Sequence, residues 1–428
     1  MDKNEKIFAA VDIGSTKVVA LAAKKNEEGK IQVIGLGHSP SRGVKRGVVF
    51  NIDEAFAAIS DAVGQAERSA GHDIETVFVN ISGQLLTTLT SHQQRTLGRD
   101  HCVSEYDIEQ MMSQARQITL SEDMAVYHVN PEFYTVGEEQ GITNAVGALG
   151  EKIEGTFKVH VAPDSYQRNI EMCFDRGSIR VQKAILDPIA SAEVVLSDDE
   201  KEAGVALVDI GGGTTKISIF CEGVLCFTSM VPFGGNVVTK DIKEGCAITL
   251  KDAEAMKKKF GQAIGDFAPE NKVVSISIEG WEPRQISFKN LAHIIQARMD
   301  EIIGQIFLQI RKSGYAEKLG AGIVITGGTS LLPNLSQLVK FHTGFDVRVG
   351  KPNIHTFIAM KELDDPKFST VLGLLKMAAE EDAPAGRKAR RFKKPKSNEP
   401  GIIKVMQTKI VQGLIDFFEE APADTEMS

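Results

Sequence analysis

Two short acidic, glycine-rich turns hold the clearest chemistry in this chain. "AAVDIGSTKVVAL" (Ala9–Leu21) and "ALVDIGGGTTKISIF" (Ala206–Phe220) share one plan: an apolar strand, an Asp-Ile-Gly turn and a second apolar strand. Glycine at the turn (Gly14 in the first; Gly211, Gly212 and Gly213 in the second) lets backbone N–H groups come close to an anion. Ser15, Thr16, Thr214 and Thr215 add hydroxyl groups, and Lys17 and Lys216 add positive charge. Asp12 and Asp209 stand where their first strands end, and a carboxylate there can hold the water shell of a magnesium ion. Two such turns facing each other would clamp a chain of phosphates from both sides.

Other segments extend this set. In "GIVITGGTSLLPNL", Gly327 and Gly328 separate an apolar strand from a helix, with Thr329 and Ser330 following. Missing side chains there would let an adenine or ribose lie against the backbone near a helix N-terminus. "PFGGNVVTKDI" places Gly234 and Gly235 just before a helix, a second close backbone approach. Glu254 and Lys257 in "KDAEAMKKKFG" stand three apart on one helical face, the spacing of a surface ion pair. A single glycine-rich hairpin is usually just a tight turn. Three glycine-rich motifs in this order predict a nucleotide site, to which the family resemblance below adds ATP and magnesium as cofactors.

These residues need a frame to hold them. At 428 residues the chain exceeds one compact core, so two or more domains are expected. The first part reads as a strand pair over Phe8–Ala23, a strand over Ile31–His38, a helix over about Asp53–Ser69 and a strand over Val77–Ser82. Residues 84–163 change texture, with polar strands, a helix carrying Ser104 and Asp107 at capping-box spacing, and glycine-rich loops. They read as an inserted module. Strand–helix alternation then returns and includes "LDPIASA", where Asp187-Pro188 fits an N-cap followed by proline. The predicted division is 1–83 with 164–204 as a first core, 205–244 with 310–380 as a second, and 245–309 as a smaller lobe of the second.

Composition excludes several classes. A net charge of −8 argues against nucleic acid as the main partner. Five scattered cysteines without a paired framework fit reduced thiols in a cytoplasm. The N-terminus has no signal-peptide pattern, and no apolar stretch is long enough to cross a membrane.

Taken together, the motifs resemble the phosphate 1, phosphate 2 and adenosine motifs of the actin-like ATPase superfamily, over about residues 7–380. Within it, "VDIGSTKVVAL", "SRGVKRGVVFNIDEAFAAI", "VPFGGNVVTKDI" and the insert are similar to the FtsA family of bacterial cell-division proteins. The resemblance implies an α/β, two-domain actin-like fold with an inserted subdomain in domain 1. It also implies that Asp187 helps place the attacking water or the magnesium ion, the N-cap reading remaining open beside it. Glu254 and Lys257 would touch the adenosine.

The family ties filaments of the tubulin-like protein FtsZ to the inner membrane. Arg284, Arg298 and Glu301 match charged positions of its FtsZ-contacting surface, the alternative being a solvated face with an Arg298–Glu301 ion pair. Residues 381–400 carry seven Lys or Arg and few apolar side chains, which is linker composition. Beyond them Ile403, Met406, Ile410, Leu414 and Phe417 recur at helical spacing, with Ile402 and Phe418 widening the face. Over 401–420 this predicts an amphipathic helix for an anionic membrane surface, or one docked on the domain or a partner.

The implied protein is a peripheral inner-membrane anchor at the division site, bound to FtsZ, to copies of itself and to other division-machinery membrane proteins. A membrane-linked actin-like scaffold of pilus assembly is the nearest alternative. A metabolic kinase would need a substrate-binding carboxylate base, and a chaperone would need a large β-rich domain after residue 380; neither is evident.

Overall fold

The computed structural model describes residues 6–98, 101–276, 283–358 and 360–381. The compact unit containing them ends at Glu381, so the basic linker beyond that residue and the amphipathic segment with Ile402, Ile403, Met406, Ile410, Leu414, Phe417 and Phe418 lie outside the described residues.

The first hairpin forms β1 (Ile7–Ile13) and β2 (Lys17–Lys25), continued antiparallel by β3 (Ile31–Pro40). Their apolar runs are buried almost throughout, as strands covered on both faces must be. A small hairpin, β4 (Val44–Lys45) and β5 (Val48–Val49), leads into α1 (Ile52–Ala70). Asn51 caps α1 by accepting from the Glu54 amide, and Gly71 ends it in the left-handed conformation. Its alanine-rich face covers the sheet, and β6 (Thr76–Ile81) then pairs in parallel with β1.

The insert follows. β7 (Thr87–Thr96), α2 (Glu105–Arg116), β8 (Met124–Val136), β9 (Glu139–Ile142) and β10 (Lys152–Pro163) make a separate four-stranded sheet of order β7-β10-β8-β9. The Ser104–Asp107 capping box forms as predicted. The insert has its own core around Met111, Ile153 and Phe157. Then α3 (Ser165–Arg176), β11 (Arg180–Leu186) and α4 (Asp187–Val195) complete the first half.

After α5 (Asp198–Ala203) the opening device repeats: β12 (Val205–Ile210), β13 (Thr215–Cys221) and β14 (Val224–Val231) form an antiparallel meander. Helices α6 (Gly235–Cys246) and α7 (Leu250–Phe260), the strand pair β15 (Val273–Ile276) and β16 (Arg284–Ser287), and the long α8 (Phe288–Lys312) follow. Next, β17 (Ile323–Thr326) pairs in parallel with β12, as β6 does with β1. α9 (Leu335–Thr343) and β18 (Val347–Val349) close that sheet in the order β14-β13-β12-β17-β18. The first sheet has the order β11-β6-β1-β2-β3-β19, and β19 (Phe357–Ile358) reaches it from the second half.

The last helix, α10 (Ser369–Glu381), packs on α4, β1 and β2. Thus the end of 310–380, predicted to belong wholly to the second core, sits on the first sheet. Its apolar face completes the core beneath β1 and β2, where Leu21, Leu372 and Leu375 are buried together.

Candidate functional site

The two acidic turns are built alike. In the first, the Gly14 amide donates to the Lys17 carbonyl at 3.0 Å; in the second, the Gly211 amide donates to the Thr214 carbonyl at 2.9 Å. Their tips meet. A Cβ on Gly212 would lie 2.4 Å from Thr16 Cγ2, and one on Gly213 would lie 2.6 Å from Ser15 Cβ. A side chain at either position would force the facing side chains or the hairpins themselves to shift.

Beside the tips opens a cavity of about 1120 Å³, large for a small-molecule site. Thr16 and Lys17 line it from the first turn and Gly212 from the second. Thr239, Glu254 and Lys257 line it from α6 and α7, and Gly328 and Thr329 from the third motif. Six lysines face it (Lys17, Lys240, Lys251, Lys257, Lys258 and Lys367) against one carboxylate, Glu254. Leu250, Leu331, Leu332 and Pro333 give it an apolar end. A polyanion with a flat apolar group matches both halves.

Each predicted residue has a definite place. Lys17 Nζ donates to the Lys367 carbonyl at 2.9 Å and lies 4.4 Å from the centre of the Phe368 ring. Burial lowers its pKa to about 8, and Lys367 adds to the lowering. Ser15 Oγ accepts from the Gly47 amide at 2.9 Å. Thr214 and Thr215 are buried, and the Thr215 hydroxyl donates to the Phe233 carbonyl, so it holds the loop rather than facing the cavity. Gly234 and Gly235 back onto the second turn: the Gly235 amide donates to the Gly211 carbonyl at 2.9 Å, and the Asn236 amide to the Gly212 carbonyl at 2.7 Å.

Glu254 and Lys257 do form an ion pair, at 2.7 Å, with Lys257 largely buried and Glu254 partly exposed. Lys257 also donates to the Gly235 carbonyl and to Thr239 Oγ1, and Thr239 donates to Glu254. The set ties α7 to the first turn of α6. Gly327 adopts φ +84°, and a Cβ there would strike Asp209 Oδ1 at 2.2 Å. Its missing side chain therefore makes room for a carboxylate of the protein, and Gly328 is the one that opens on the cavity. Thr329 Oγ1 donates to the Gly211 carbonyl, while Ser330 is buried and bonds to Gly327.

The acid residues sit apart from the cavity lining. Asp187 is the first residue of α4 and Leu186 holds the N-cap position, with no side-chain cap. The N-cap reading of Asp187 is thus corrected: its carboxylate, 1% exposed, is turned to Lys216 Nζ instead. The same ammonium is 3.5 Å from Asp209 Oδ2. Asp12, also buried, has its pKa pushed up to about 7 by burial and then by the neighbouring charge of Asp187. Burial opposes the charge on Lys216, but Asp187, Asp209 and Asp12 more than offset this and raise its pKa. Among the described residues no group of three or more acidic, His or Cys side chains is arranged to hold a metal. The cavity fits a nucleotide; the carboxylates already share a cation of the chain.

The residues matched to a partner surface are held by the chain itself. Arg298 makes a two-point contact with Asp241 and pairs with Glu301, and Arg284 donates to the Cys246 carbonyl.

Several lining residues were not singled out from sequence. Asn236 stood inside a quoted motif and could have been named. Lys240 and Lys251 also stood inside quoted motifs, whereas Lys367 comes from a separate element and has no local pattern.

Comparison with known proteins agrees with this architecture. The family model for cell division protein FtsA matches residues 206–373, and that for the SHS2 domain inserted in FtsA matches 83–161. Cell division protein FtsA of Pseudomonas aeruginosa is 36% identical over 375 residues, covering 86% of this chain and 88% of its own. The proteins of the same description from Neisseria meningitidis and Escherichia coli are 33% and 31% identical, covering 88% and 87% of this chain and 91% and 90% of theirs. Among solved structures, the PilM-PilN type IV pilus biogenesis complex aligns with TM-score 0.61 at 14% identity, over 87% of this chain and 98% of that one. MreB5 of Spiroplasma citri bound to ADP aligns with TM-score 0.52 at 12% identity, over 89% and 99%. Those two likenesses establish the actin-like fold. With the curated relatives they support one conclusion: the chain belongs to the FtsA family of cell-division proteins, with an actin-like core and an inserted SHS2 domain.

Proposed function

We propose that the protein binds ATP beside its two facing hairpins, polymerises at the cytoplasmic face of the inner membrane, and anchors FtsZ filaments there at the division site. The observation that carries the nucleotide reading is the meeting of two glycine-rich turns beside a lysine-lined cavity with an apolar end. The excess of lysines suits a triphosphate, although Lys257 and Lys258 are paired with Glu254 and Lys367 with Asp365, and Leu331, Leu332 and Pro333 suit a base. Magnesium, when bound, would screen the phosphates; Asp12 and Asp209, the carboxylates that the sequence offers to order its waters, stand in a cluster that already holds the Lys216 ammonium.

Asp187 is the residue that the family resemblance assigns to steering a water, but its pairing with Lys216 keeps it from acting as a ready base. Slow turnover follows, with nucleotide occupancy acting mainly on domain closure and filament assembly. Membrane attachment is assigned to residues 401–420 from their sequence periodicity and the basic stretch before them. One such helix binds weakly; a filament presenting many gains avidity. FtsZ is assigned to the α8 face with Arg298 and Glu301 and to nearby Arg284, and further membrane proteins of the division machinery to the insert.

Co-sedimentation of the full chain with anionic vesicles, ATP and FtsZ tests this. The full chain should pellet and bring FtsZ with it; a chain ending at residue 400 should do neither. Vesicle binding without FtsZ would contradict the anchoring role, and vesicle binding by the shortened chain would contradict the assignment of the helix.

A further inference from the structure

Lys216 is placed by the sheet register. It stands directly opposite Asp209 in the β12–β13 pairing, so both side chains project on one face. The first hairpin has the same register, but the residue opposite Asp12 is Val19, a buried apolar side chain. The two hairpins therefore differ opposite their shared aspartate, and the difference introduces an ammonium group. That group contacts the carboxylate of Asp187, at the start of α4, and lies 3.5 Å from Asp209. Among the described residues, neither Asp187 oxygen, both buried, takes a hydrogen bond from any other group. Three carboxylates gathered in a buried place need a positive charge among them. In an ATP site that charge would ordinarily come with a divalent ion.

We propose that Lys216 is a resident cation of the acid cluster, holding the position among Asp12, Asp187 and Asp209 that a divalent ion would otherwise take, so that nucleotide binding depends little on magnesium. This rests on the reading of the cavity as a nucleotide site, but its first test does not.

Manganese alone is the probe. Electron paramagnetic resonance of the full chain without nucleotide should show no manganese held at this cluster at submillimolar concentration, and Lys216→Met should create such a site. Titration with a fluorescent ATP analogue should show that chelating all divalent ions weakens wild-type binding less than about fivefold, and weakens the variant more than that. Manganese binding to the wild type as tight as to the variant overturns the proposal, as does a wild-type loss above that limit. If neither protein binds nucleotide, the nucleotide reading fails and the manganese comparison still decides the role of Lys216. If the variant does not fold, the two wild-type measurements decide it.

Discussion

At the residue scale the acid cluster dictates a pH dependence. Asp12 holds its proton in the folded chain to about pH 7, whereas an unfolded chain releases it near 3.8. Between those values the unfolded state ionises first, so the folded state loses stability as pH rises, and the loss levels off above 7. Asp12→Asn removes the effect. Urea denaturation should find the variant no more stable than wild type below pH 4 and more stable at pH 8, by up to about 4 kcal/mol. Equal stabilities at pH 8 would show that Asp12 is charged at no cost. The role of Asp187 was half legible: its place before a proline and a helix stood in the sequence. Its partner did not, because Lys216 follows it by 29 positions and meets it only through the packing of α4 on the second hairpin.

At the element scale the hairpins were legible because both signals are local, a run of apolar residues on each side of a glycine turn. The meeting of their tips depends on Gly212 and Gly213. Gly212→Val should force the turns apart and weaken nucleotide binding at least tenfold, while far-ultraviolet circular dichroism stays unchanged. Unchanged affinity would mean that the tips need not touch. The crossing of α10 over α4 depends on another glycine. A Cβ on Gly373 would lie 1.7 Å from the Ala190 carbonyl oxygen. Gly373→Ala should therefore cost about 1–3 kcal/mol in chemical denaturation. A neutral result would mean that the helices can part without strain. That α10 packs on the first sheet was not legible, since periodicity shows which face of a helix is apolar but not which sheet it covers.

At the scale of the whole molecule the insert is tied to the second half as well as to the first. Asn130 Nδ2 donates to the Leu225 carbonyl at 3.2 Å, and the Tyr315 hydroxyl donates to Glu132 at 2.9 Å. Glu132 also pairs with Lys158 at 3.0 Å, both side chains being largely buried. Glu132→Ala would leave Lys158 without its counter-charge and should destabilise the chain by about 3 kcal/mol, with faster amide hydrogen exchange along β14. Unchanged exchange there would show that the insert moves independently of the second sheet. These contacts join segments more than 90 positions apart, which no local pattern announces.

The most direct test of the central claim is an equilibrium titration of the full chain with ATP by calorimetry, alongside Lys257→Ala. One saturable site per chain, competed by ADP and weakened at least tenfold in the variant, is the predicted result. Absence of saturable binding, or an affinity untouched by the loss of Lys257, would contradict the assignment of this cleft to a nucleotide.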